Sequence, residues 1–322
     1  MKHARIIIIS LIVAIITVIV LYGVELPGHT MLWREIGNAG HIPLFGVMAV
    51  VLLYLSRALL GERFPHPLVH FGISFILTGG FGFITEFIQW FTPRDADFWD
   101  IVRDVIGAFV FLGVVALFDK KSFPGLRKSA LKKTALILSV LIVLLAGMSP
   151  VIAWLGGYVY RSAKAPLICG FESGIDRLFI RMHSADIEFV PNQYFDSTES
   201  NETCVRITLR PAQYPEFYFK EPLPNWSPYN HFSYQVFSPA DTAIRLYMRI
   251  EDVHHKGVFN DRFNRFFTIV PGLNRIDIPL EDIRRAPADR EMDMTFISAF
   301  SLFAKDTRTP FELYLDNFEL KK

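Results

Sequence analysis

Four carboxylates, Glu86, Asp97, Asp100 and Asp104, fall within or between two apolar runs that are each long enough to cross a bilayer. An Asp at the centre of a membrane helix costs roughly 2.5–3.5 kcal/mol on insertion scales. A chain that carries four acids here must turn them inward, into a polar site within a helix bundle. Five such runs occupy about residues 6–24, 41–60, 68–91, 99–118 and 134–155. At ~1.5 Å rise per residue, each can span a hydrocarbon core of ~30 Å.

The 322 residues are 51% hydrophobic, with net charge +1. A chain so close to neutral lacks the basic face that nucleic acid requires. The first apolar run follows Lys2, His3 and Arg5, but Val24-Glu25-Leu26-Pro27 is no small-residue cleavage site, so it reads as an uncleaved helix. Lys and Arg set the orientation. With five crossings, Lys2, Arg5, Arg57, Arg63 and the basic residues of 119–133 share one side, which is then cytoplasmic. The expected layout is a four-helix membrane domain over 1–118, a basic cytoplasmic loop over 119–133, a fifth helix over 134–157 and an extracytoplasmic domain over 158–322. The segment 156–166 reads as a short tether. A bacterial inner membrane is the expected location.

From Leu167 onward, short alternating and aromatic runs are punctuated by Pro, Gly and Asn, the pattern of an antiparallel β-sandwich. Both cysteines, Cys169 and Cys204, lie here, where an oxidising compartment would permit a bridge; two free thiols in a sheet core are the alternative. Aromatic side chains that could stack on sugars include Tyr214, Phe217, Tyr218, Trp226 and Tyr229. Trp226 and Tyr229, in the Pro-rich segment 221–229, are the ones expected at the surface. No nucleophile elbow and no His-Glu-x-x-His motif is present.

Within the membrane half the polar positions follow a fixed spacing, Glu86-x2-Gln89-x4-Arg94-x2-Asp97-x2-Asp100-x3-Asp104-x2-Gly107, preceded by Gly40-His41. This pattern, over about residues 5–118, resembles the VanZ-like family, with Asp104 where that family usually has Asn. The resemblance implies a link to cell-envelope glycans and, in some members, to glycopeptide antibiotic resistance. Phe171-Glu172, the segment 262–280 and Tyr314-Leu-Asp316-Asn317 resemble the galactose-binding-like jelly rolls of carbohydrate-binding modules. That second resemblance implies a structural Ca²⁺ at Glu172 and Asp316.

The spacing also has its own logic. Glu86 and Gln89 share a helix face, and Asp97, Asp100, Asp104 and Gly107 recur at intervals of three and four. A short hairpin makes the two helices antiparallel, so Glu86 and Asp104 are expected to face one another about 10 Å below the surface. His41 enters from the same side, Arg94 caps the hairpin, and Gly107 permits close approach. Three readings stand: a structural polar network, a site for the headgroup of an envelope glycan or glycolipid, and an ion path. The favoured reading is binding rather than catalysis, with membrane lipids and an envelope glycan as partners. An enzyme acting on a lipid-linked substrate is the alternative.

Overall fold

The computed structural model describes residues 2–23, 26, 28, 30–91, 97–119, 122–195 and 202–322. It divides into two compact units, Met1–Trp154 and Leu155–Lys322. The first is helical: α1 (Lys2–Gly23), α2 (Met31–Ala39), α3 (His41–Leu60), α4 (Pro67–Gln89), α5 (Phe98–Phe118), the short α6 (Pro124–Lys128) and α7 (Ala130–Lys164). Among the described residues five helical stretches are long and apolar enough to cross a membrane, and each overlaps one of the five apolar runs.

Pro67 at the first turn of α4 and Asp97 at the N-cap of α5 fix where those helices begin; the Asp97 carboxylate accepts the Trp99 N–H at 2.9 Å. Helices α3, α4 and α5 pack around Ala49, Leu53, Ala108 and Leu112. Small residues bring α3 and α5 together. A Cβ on Gly107 would lie 2.2 Å from the Ile42 carbonyl, and one on Gly46 would strike the Phe111 ring. The glycine expected to admit a close neighbour therefore admits the α3 backbone.

Two features depart from the sequence reading. Residues 31–39, which lie between the first two apolar runs, form α2, whose Met31, Glu35 and Ala39 recur every fourth position and are buried. The tether expected over 156–166 is helical through Lys164 and belongs to the second unit. Its Arg161, only 4% exposed, lies over the Phe179 ring at 4.1 Å and the Tyr158 ring at 5.0 Å. That cation–π cage holds the last turns of α7 against the sandwich.

The second unit is an antiparallel β-sandwich. Its strands are β1 (Leu167–Cys169), β2 (Ile180–His183), β3 (Ala185–Pro191), β4 (Thr203–Leu209), β5 (Glu216–Lys220), β6 (His231–Ser238), β7 (Ile244–Asp252), β8 (Phe263–Ile269), β9 (Gly272–Pro279), β10 (Ile297–Phe303) and β11 (Phe311–Lys321). One sheet runs β3-β4-β11-β6-β9 with β1 also on β11; the other runs β2-β5-β10-β7-β8. Alternation sends Phe217, Phe219, Phe300, Phe232 and Phe318 into the space between the sheets, where all are fully buried. Each such ring contributes about 1.5–3 kcal/mol of burial. Asn317 takes a left-handed conformation (φ 53°) at the β11 bulge, a conformation Asn tolerates better than most residues.

Cys169 and Cys204 are buried as separate free thiols, in place of the bridge the sequence permitted. Burial pushes both thiols up, Cys204 to about 12 with Asp316 and Glu172 adding to it, which disfavours the reactive thiolate.

Candidate functional site

Polar side chains from four helices converge where α3 and α5 begin and α4 ends. His41, first residue of α3, places Nδ1 2.8 Å from Asp104 Oδ1 and Nε2 3.7 Å from Asp100 Oδ2. Its ring stacks on Phe45 with centroids 5.8 Å apart. Asp104 is fully buried, and its second oxygen, Oδ2, receives no hydrogen bond. That oxygen lies against Gly82 of α4, where a Cβ would sit 2.4 Å away. Asp104 is therefore level with Gly82, one turn along α4 from Glu86, and not directly opposite Glu86 as the spacing suggested. Glu86 instead accepts the Asp97 backbone N–H at 3.0 Å. The Gln89 amide nitrogen, in the orientation that satisfies both its ends, donates to the Glu86 oxygens at 3.2 and 3.3 Å.

Arg103, which the structural-network reading pairs with the carboxylates, and Glu35, which the sequence reading did not include, complete the cluster. Arg103 reaches Asp100 at 2.5 Å, Glu35 at 3.5 Å and Asp97 at 3.9 Å. Glu35 comes from α2 and also accepts from Asn38 at 3.4 Å. The signal that could have found Glu35 is its place in the buried stripe of α2. The structure thus brings together His41, Glu86, Gln89, Asp97, Asp100 and Asp104, while Gly107 serves helix packing. Arg94 lies outside the described residues.

In the sandwich, the loop aromatic expected to meet sugar is core. Trp226 is 0% exposed, packs on Phe232 at 4.8 Å and donates its indole N–H to the Leu223 carbonyl at 2.7 Å. The Pro-rich segment folds back because the Trp226 amide bonds the Met294 carbonyl. Tyr229 is half-buried, and Phe217 is in the core. Glu172 accepts from the Thr203 amide at 3.2 Å and hydroxyl at 3.4 Å, and Asp316 accepts from the Asn317 amide at 2.7 Å. Among the described residues no group of three or more His, Cys, Asp and Glu is placed to hold a metal ion.

A different surface carries two exposed rings, Phe266 and Tyr214, beside the half-buried Tyr247 and the buried Phe303. Strand register aligns Glu216, Phe303, Tyr247 and Phe266 across β5, β10, β7 and β8 on the outer face of the five-stranded sheet. Tyr247 stacks on Phe303 at 5.3 Å, Phe266 is 51% exposed, and Tyr214, 49% exposed, meets Phe303 at 6.2 Å. The neighbouring row is polar: Tyr218, Ser301, Arg249 and Asn264. Arg249 spans Glu216 at 2.7 Å and Glu251 at 3.1 Å. Ser301 Oγ and Asn264 Oδ1 are buried without a hydrogen-bond partner. Burial, with Glu251 nearby, pushes the Tyr218 phenol up to about 12, so it stays a neutral hydroxyl.

No protein-family model matches the chain. No curated protein matches it either. Among solved structures, it is similar to a family 11 carbohydrate-binding module from Clostridium thermocellum in complex with a beta-1,3-1,4-mixed-linked tetrasaccharide. That match has 15% identity and a TM-score of 0.38, covering 48% of this chain and 94% of that one. An agarase is similar at 16% identity and a TM-score of 0.37, over 48% of this chain and 26% of the agarase. A family 30 carbohydrate-binding module of a Clostridium thermocellum cellulase shows 11% identity and a TM-score of 0.30, over 39% of this chain and 78% of that one.

Proposed function

We propose that this protein is an integral membrane protein that recognises a cell-envelope glycan or glycolipid. In this reading its sandwich takes the saccharide and its VanZ-like helical half takes a headgroup. The observation that carries it is the outer face of the five-stranded sheet. Phe266 and Tyr214, each about half exposed, with the half-buried Tyr247 packed between Phe266 and the buried Phe303, offer apolar faces for C–H-rich sugar faces. Beside them, the partly exposed Tyr218 phenol, Arg249 guanidinium and Glu216 carboxylate supply donors and acceptors of the kind a polyhydroxyl ligand needs.

The Lys and Arg bias supports a cytoplasmic N-terminus, an extracytoplasmic sandwich and a bacterial inner membrane. The polar cluster at the α3–α5 end then opens toward the outer leaflet. Trp90 and Trp99, both largely exposed at that end, suit the headgroup level of a bilayer.

The test is a panel of envelope-derived oligosaccharides titrated into the full-length protein in detergent. Retention of at least one is expected, weakened about tenfold by Tyr247→Ala, a change of about 1.4 kcal/mol. No retained oligosaccharide, or affinity unchanged in Tyr247→Ala, would overturn the saccharide reading. A second reading, an enzyme on a lipid-linked substrate, is favoured by one observation. The His41 imidazole bound to a buried carboxylate is the pairing used by general bases. Turnover of a lipid-linked saccharide that disappears in His41→Gln would select it.

A further inference from the structure

Among the described residues, carboxylates at the α3–α5 end of the bundle outnumber the cations that face them. Among the described residues, Glu35 of α2, Glu86 of α4 and Asp97, Asp100 and Asp104 at and along α5 meet one guanidinium, Arg103, and one imidazole, His41. Arg103 is divided among three of the acids, and His41 between two. Glu86 is buried and has no ion pair among the described residues; its hydrogen bonds come from neutral amides of Asp97 and Gln89. Asp104 Oδ2, fully buried in the same cluster, receives no hydrogen bond at all.

Such a surplus, away from bulk water, is balanced either by protons or by a bound cation. The side chains are not arranged for a metal ion among the described residues. The surroundings have a second character, since Trp90, Phe91, Phe98 and Trp99 at the same ends of α4 and α5 are all more than 60% exposed. Exposed ring faces attract ammonium groups, and carboxylates supply the counter-charge. The adjoining α4 surface, with Phe83, Ile84, Phe87 and Ile88 each half or more exposed, is apolar enough to lie against acyl chains.

We infer that this cluster binds the ammonium headgroup of a lipid, with Glu86 and Asp97 as its counter-charges. The inference rests on the headgroup reading of the cluster and is independent of the sandwich face.

The experiment incorporates the full-length protein into nanodiscs of equal phosphatidylethanolamine and phosphatidylglycerol and identifies the lipids retained after extraction. The expected result is about tenfold enrichment of phosphatidylethanolamine, reduced toward unity in Glu86→Gln and in Asp97→Asn. Asp97→Asn keeps an N-cap side chain while removing charge, so a folded protein that loses the preference supports the inference. Equal retention of the two lipids by the wild type would mean that protons alone balance the acids, and would overturn it. A thermal shift with soluble ethanolamine but no lipid preference would overturn the lipid as the source. If Glu86→Gln alters retention of a glycolipid while the lipid ratio stays at unity throughout, the headgroup reading survives and the ammonium inference fails.

Discussion

The polar cluster of the bundle and the Arg290 network of the sandwich are built from the same residue types and are satisfied to different extents. In the sandwich, both oxygens of the buried Asp252 are fully used. Oδ1 accepts from the His254 amide at 3.2 Å and Arg290 Nη2 at 2.8 Å; Oδ2 accepts from the Asp293 amide at 2.7 Å and Arg290 Nη1 at 2.5 Å. The same guanidinium holds Asp261 at 2.5 Å. That closed network locks the loops after β7 and before β10. In the bundle, Arg103 is spread over three acids and Asp104 keeps an unused oxygen. A network complete in itself does structural work; one short of partners has capacity left for something else.

The largest effect that would sharpen this contrast is expected at Arg290. Arg290→Ala strands the Asp252 carboxylate in the core and should cost the sandwich about 3–5 kcal/mol, measured by denaturant unfolding. Glu86→Gln, by contrast, should leave the unfolding of the bundle nearly unchanged. A loss as large as that of Arg290→Ala would make the cluster a structural lock and erase the distinction. Next in size is Gly107→Ala, which places a methyl group on the Ile42 carbonyl and should destabilise the helical half by about 1–3 kcal/mol; thermal melting in detergent checks it.

A smaller, pH-dependent effect is expected at Asp176. Burial, ahead of all other influences, raises its carboxyl from 3.8 to about 6. The folded state therefore holds the proton more tightly than the unfolded state, so the sandwich loses stability as pH rises from about 4 to about 6. Asp176→Asn should flatten that slope in pH-resolved melting, and an unchanged slope would assign it to another group.

Apolar length was enough to read the five spans, because hydrocarbon thickness leaves little freedom in how such runs fold. The α5 stripe was equally legible, since 97, 100 and 104 fall on one face whatever the neighbours do. Glu35 was hidden because nine amphipathic residues with Arg34 and Glu35 look like loop until a bundle exists for them to pack on. Trp226 was misread because proline in its segment signals exposure locally, whereas the Met294 carbonyl that draws it inward is remote in sequence. The aromatic row of the five-stranded sheet was out of reach for a related reason. Its members Phe303, Tyr247 and Phe266 come from β10, β7 and β8, and only pairing register makes them neighbours.

The caged guanidinium on α7 has a practical consequence for dissecting the molecule. Phe179 and the rings behind it are roofed by the last turns of a helix whose earlier turns form the fifth apolar run. A fragment cut at Pro166 would uncover that aromatic floor, and one begun near Leu155 would keep its lid. The fifth membrane-length helix and the second folding unit share residues 155–164, about three turns.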